Sequence, residues 1–106
     1  MKITKLADMR LGWFIGDFEP VVHRTSDFEA SVKYFKIGES EPRHYQRVAT
    51  EITVIITGTA KIENHVLGPG DIITIEPNEP ADFLAITDVA LIAIKFPSIP
   101  SDKVLS

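Results

Sequence analysis

The chain has 106 residues, no cysteine and a formal net charge of −4. This length fits one domain that buries roughly two-thirds of its unfolded surface, and without cysteine there is no disulfide framework, thiolate nucleophile or cysteine metal site. Lys and Arg are scattered through an acidic chain, which argues against a nucleic-acid surface, and no apolar run approaches the ~20 residues that span a bilayer.

The N-terminal stretch MKITKLADMR lacks the apolar core of a signal peptide. The reading is therefore a cytoplasmic protein. Residues 1–27 form an arm. Leu6, Met9, Leu11, Trp13, Phe14, Ile15 and Phe18 are interleaved with Gly12 and Gly16. Two glycines so close make a helix costly, so the arm is irregular with at most one short strand. Its apolar side chains need cover, from the end of the core or from a second subunit. Residues 20–27 are a loop or a short strand.

Phe28 to Ile37 alternates as a strand, with Phe28, Ala30, Val32 and Tyr34 on one face and Glu29, Ser31 and Lys33 on the other. Parity alone does not say which face is inner. Gly38 to Pro42 reads as a turn, and Glu51 to Thr57 is a strand rich in β-branched residues. Gly58 turns the chain into a strand from Thr59 to Ile62. Glu63-Asn64-His65 is a hairpin tip, with Asn the natural left-handed residue. Gly68-Pro69-Gly70 is a turn, Asp71 to Ile75 a strand, and residues 77–80 a rigid loop. Phe83 to Ile86 and Val89 to Phe96 are the last strands, followed by an extended tail over 97–106. Short strands at turn-marked spacing, with no long helix, indicate an all-β sandwich or barrel. The expected organisation is a single domain over 1–106, with its barrel in 28–96.

Within it, His44 and Gln46 lie two apart and so share a strand face. Glu51 returns to that face if the chain bends between them. The pattern Gly38-x5-His44-x-Gln46-x4-Glu51-x6-Gly58 resembles the first signature motif of the cupin superfamily, with Gln46 in place of its second histidine. Residues 70–81 resemble the second motif. Asn78 stands at a glycine of the pattern, and Ala81 stands at its histidine. The resemblance covers about residues 30–96 and implies a double-stranded β-helix, a jelly-roll barrel of two antiparallel sheets.

In metal-dependent cupins the motif positions hold a divalent ion. Carried over residue by residue, they leave His44 and Glu51 as ligands and Gln46 as a weak one, because an amide oxygen is a poor neutral substitute. Ala81 supplies nothing, and Asp82 would need a bulge to turn inward. The metal set is depleted, so little or no transition metal is expected and the cofactor stays undefined. His44 and Glu51 are the candidate catalytic pair, because an imidazole tuned by a carboxylate can move a proton near neutral pH. The bland alternative is a satisfied buried polar cluster, with Glu51 paired to His44. Gln46, Tyr34 and Lys95 are the candidate ligand-binding residues. Lys95 either lays its stem on apolar surface or sits in the barrel mouth near Glu51, and Tyr34 qualifies only if its face is the inner one.

The function expected from this set is binding of a small polar, carbohydrate-related molecule in the barrel. The alternatives are a sugar or carbonyl-compound isomerase, epimerase or lyase, then a metal-dependent oxygenase, and finally a non-catalytic structural or regulatory dimer. A homodimer is expected in every case.

Overall fold

The computed structural model describes all 106 residues. Apart from a 3-10 turn at Leu6–Asp8, the ordered elements are strands: β1 (Trp13–Gly16), β2 (His23–Arg24), β3 (Glu29–Phe35), β4 (Ser40–Gln46), β5 (Thr50–Thr57), β6 (Ala60–Ile62), β7 (His65–Leu67), β8 (Ile72–Ile75), β9 (Ala81–Ala85), β10 (Val89–Phe96) and β11 (Lys103–Leu105). They form a six-stranded sheet in the order β2-β1-β3-β10-β5-β8 and a five-stranded sheet in the order β11-β4-β9-β6-β7. All pairs are antiparallel except β1 with β2. The fold is all-β, the double-stranded β-helix expected from the sequence. No helix is long and apolar enough to cross a membrane.

Several local expectations change. The chain is already in β4 from Ser40, so Glu41 and Pro42 belong to a strand and not to a turn. Glu63, with φ of 50°, takes the left-handed place at the hairpin tip, and His65 begins β7. Asp82 orders that tip, its carboxylate accepting the Glu63 N–H at 2.8 Å. Both ends of the chain join the sheets: β1 pairs with β3, and β11 pairs with β4. Asn78 has φ of 67°, as its place at a glycine of the pattern requires.

The sheets close over an apolar half in which Ile55, Ala60, Ile62, Phe83, Ala85, Val89 and Leu91 are buried. The Phe35 and Phe83 rings meet across it with centroids 4.4 Å apart. Each such large side chain contributes about 1.5–3 kcal/mol by leaving water. Two glycines set the strand spacing. A Cβ on Gly12 would collide with the Val32 carbonyl oxygen, and one on Gly58 would collide with that of Asp88. Both have positive φ, so an L side chain would be strained there as well as blocked. Gly12 thereby lets β1 approach β3 and deliver Trp13 to the barrel.

Candidate functional site

The other half of the barrel interior is polar. The register between β3, β10 and β5 aligns Glu29, Lys95 and Glu51 in one row, with Ser31, Ala93 and Thr53 in the next. Lys33 then faces Leu91. The inner face of β3 is therefore the polar one, Glu29, Ser31, Lys33 and Phe35. Tyr34 points outward and is 73% exposed, so its place among the barrel's ligand-binding residues is corrected.

The facing wall is built by β4. Four of its residues, from Glu41 to His44, stand opposite three of β9, from Phe83 to Ala81. This bulge brings Glu41, His44 and Gln46 to one cavity, although Glu41 and His44 are an odd number apart. Beyond Gln46 the turn into β5 is held by the buried Asp102 carboxylate. It accepts the Val48 N–H at 2.9 Å and the Ala49 N–H at 2.8 Å. From the other side, the Asn78 N–H reaches the Gln46 carbonyl at 2.7 Å.

The result is a cavity of about 190 Å³ whose walls include Trp13, Lys33, Glu41, His44, Gln46, Glu51 and Lys95. Lys95 Nζ lies 3.8 Å from Glu29 and 4.0 Å from Glu51, and Lys33 Nζ lies 3.9 Å from Glu41. These are ion pairs longer than a hydrogen bond, so the ammonium donors are not spent on the carboxylates. Both ammonium groups stand over the Trp13 ring, at 5.0 Å for Lys33 and 4.9 Å for Lys95, within the reach of a cation–π contact. Glu29 is anchored behind this row by the Ser98 hydroxyl at 2.8 Å. Burial pushes the Lys33 ammonium below the usual lysine value. The charge of Glu41 opposes that shift and the charge of Lys95 adds to it.

His44, Gln46 and Glu51 line this one cavity, but not as the hydrogen-bonded cluster expected. The His44 Nδ1 engages the Pro42 carbonyl at 3.0 Å. The partner of Glu51 is Lys95, its direct neighbour across the sheet, with a weak contact from Thr53 Oγ1 at 3.4 Å. A cross-strand lysine reaches the carboxylate before an imidazole on the opposite sheet can. Gln46 is only 5% exposed, and its Nε2 has no partner in the protein.

No protein-family model matches the chain, and no curated protein matches its sequence. Solved structures do match it. A protein with a double-stranded beta-helix domain from Klebsiella pneumoniae superposes with a TM-score of 0.70 at 18% identity, over 77% of this chain and 72% of that one. An RmlC-like cupin from Shewanella frigidimarina gives 0.65 at 19% identity, over 72% and 71%. This chain has the cupin fold. The DMSP lyase DddQ from Ruegeria pomeroyi DSS-3 gives 0.72 at 25% identity over 89% of this chain, which spans 49% of the lyase.

The positions that the cupin resemblance assigns to a metal are His44, Gln46, Glu51 and Ala81, and the residues there do not fit a divalent ion. No three His, Asp or Glu side chains are grouped to hold one. Ala81 has no donor atom, the Glu51 carboxylate faces an ammonium, and a second ammonium lines the same cavity. Of the four motif positions only one imidazole and one carboxylate could ligate a metal cation, and it would meet those two ammonium groups in the same cavity.

Sequence reasoning passed over Lys33, Glu29, Glu41 and Trp13. Their signal was present in β3. Glu29, Ser31 and Lys33 alternate opposite an apolar face, and Lys95 shares a face with Ala93 and Leu91.

Proposed function

We propose that the cavity binds a small hydroxyl-rich, carbohydrate-related molecule. The observation that carries this reading is the Gln46 Nε2, a buried donor with no protein partner. Such a group costs about 1–3 kcal/mol to leave unpaired, which argues for a use. Around it stand donors on Lys33 and Lys95 and acceptors on Glu41 and Glu51. Hydroxyl groups both donate and accept, so a polyol satisfies both sets. A simple anion would meet the carboxylates unfavourably. The Ruegeria pomeroyi neighbour is a lyase, and proton transfer on a carbonyl compound is the enzymatic form of this reading, with His44 and Glu51 facing the bound molecule. Titration calorimetry with D-xylose, ribitol and the apolar control cyclohexanol tests it. The two polyols bind and cyclohexanol does not, and Gln46→Leu weakens polyol binding on the order of tenfold. Unchanged affinity in Gln46→Leu contradicts the reading.

A homodimer is the second part of the proposal. Of the two covers expected for the N-terminal arm, the end of the core takes Trp13, whose ring lines the cavity. The subunit contact falls to the outer face of the six-stranded sheet. Ile92 sits beside Val54 and Ile94 beside Ile52. Val32, Tyr34 and Ile56 extend the patch, and none of the outward positions of β3, β5 and β10 is charged. An antiparallel sheet facing water is ordinarily polar on that side, and an uncharged, self-complementary face suits a second copy related by a two-fold axis. Sedimentation equilibrium at micromolar concentration gives a dimer, and Ile92→Lys gives a folded monomer. A monomeric parent protein contradicts this part.

A further inference from the structure

Lys33 combines three properties that binding alone does not require. Its side chain is 18% exposed, with Nζ at the cavity and no hydrogen bond to the protein. A carboxylate, Glu41, stands 3.9 Å away, near enough to exchange a proton through one small shift. The charged groups that act on it are Glu41, Lys95, Glu51 and Lys103.

We propose that Lys33 is a nucleophile whose amine captures the carbonyl carbon of a small hydroxylated aldehyde or ketone in the barrel as an imine. The proposal rests on the polyol reading of the cavity and narrows the ligand to a carbonyl compound. The neutral amine donates its lone pair to the carbonyl carbon, and the C=O π pair moves to oxygen. Glu41 has by then taken one proton from the ammonium to free this lone pair, the proton that nitrogen loses on addition moves to the alkoxide, and Glu41 returns its own proton to the departing hydroxyl. Water then leaves as the C=N bond forms. One ammonium and one carbonyl give one protonated imine and one water, with no change of oxidation state. The protonated imine keeps the positive charge beside Glu41, so the ion pair survives. It also draws electrons from the adjacent carbon, which eases proton removal there. Burial favours the step because it raises the neutral fraction of the amine at neutral pH.

The test uses the full chain, glycolaldehyde and sodium cyanoborohydride at neutral pH, with peptide mass mapping of the reduced adducts over time. The exposed Lys2 and Lys61 serve as internal controls. Lys33 is labelled about tenfold or more faster than either. Its advantage shrinks as the pH rises toward 10.5, the ordinary lysine value, where the surface amines are also neutral. Excess ribitol, a polyol without a carbonyl group, slows labelling at Lys33 and leaves Lys2 and Lys61 unchanged. Labelling of Lys33 at or below the surface rate overturns the nucleophile, while calorimetry on Gln46→Leu still judges the polyol site by itself. Fast labelling that ribitol does not slow supports the nucleophile and overturns the polyol occupant.

Discussion

Replacing Lys95 with methionine destabilises the fold by about 3–5 kcal/mol at neutral pH, the cost of breaking a buried ion pair from one side. The lysine lies between two carboxylates in one cross-strand row, and all three side chains are largely buried, at 14% exposed for Lys95, 9% for Glu29 and 18% for Glu51. Methionine keeps the stem and removes the charge. Two carboxylates then share a poorly solvated wall without a cation between them. Adding Glu51→Gln to Lys95→Met removes one of the stranded charges and restores a large part of the loss, because contacting groups do not act additively. Equilibrium urea unfolding of the single and double variants measures both effects. A single variant within about 0.5 kcal/mol of the parent, the range of ordinary surface changes, would show that Lys95 is not the counter-charge of this row.

Asp102→Ala has a comparable effect, roughly 3 kcal/mol from two charge-assisted hydrogen bonds. Its carboxylate receives the Val48 and Ala49 N–H groups, and Asp102 and Ala49 are both buried. Alanine leaves two donors facing a gap. The Asp102→Asn change keeps one acceptor oxygen and recovers about half of the loss. The consequence extends to the site, because the 47–49 turn joins β4, which carries Gln46, to β5, which carries Glu51. A loosened turn lets those two side chains drift apart. Polyol affinity therefore falls in Asp102→Ala even at temperatures where the chain stays folded. Unfolding by urea and calorimetry on the same sample check the two parts. A fully stable Asp102→Ala would assign the turn's order to the backbone alone.

The strands that carry the six-stranded sheet were legible because β5 and β10 are long and rich in Val and Ile and β3 alternates along its length. Gly58 and Asn78 were legible through backbone geometry that few residues adopt. The start of β4 was hidden by Pro42 and by a bulge, which shifts face parity without leaving a fixed residue signature. β7 and β11 are three residues each, too short for a period to register. In the site, the spacing of His44, Gln46 and Glu51 led to the cavity, whereas their pairing did not follow from it. The larger gap was Lys33. Alternation identifies two faces and does not say which is inner, and the usual rule, apolar in and polar to water, points away from Lys33. Here the polar face of β3 lines a cavity, and the face of that strand that carries Val32 and Tyr34 lies outside. Only the register of Lys95 between two carboxylates resolves the choice, and register comes from the folded sheet.

The most direct test of the cavity as a binding site is the unfolding free energy of Gln46→Leu. Leucine is larger than glutamine by about one methylene, which the adjoining cavity of about 190 Å³ takes up, and it has no donor to bury. If Gln46 is kept for a ligand, the variant is as stable as the parent or more so, by up to about 1 kcal/mol, because an unpaired buried amide is removed. If Gln46 instead holds the barrel together, the same change lowers stability by more than about 1 kcal/mol, and that result contradicts the account.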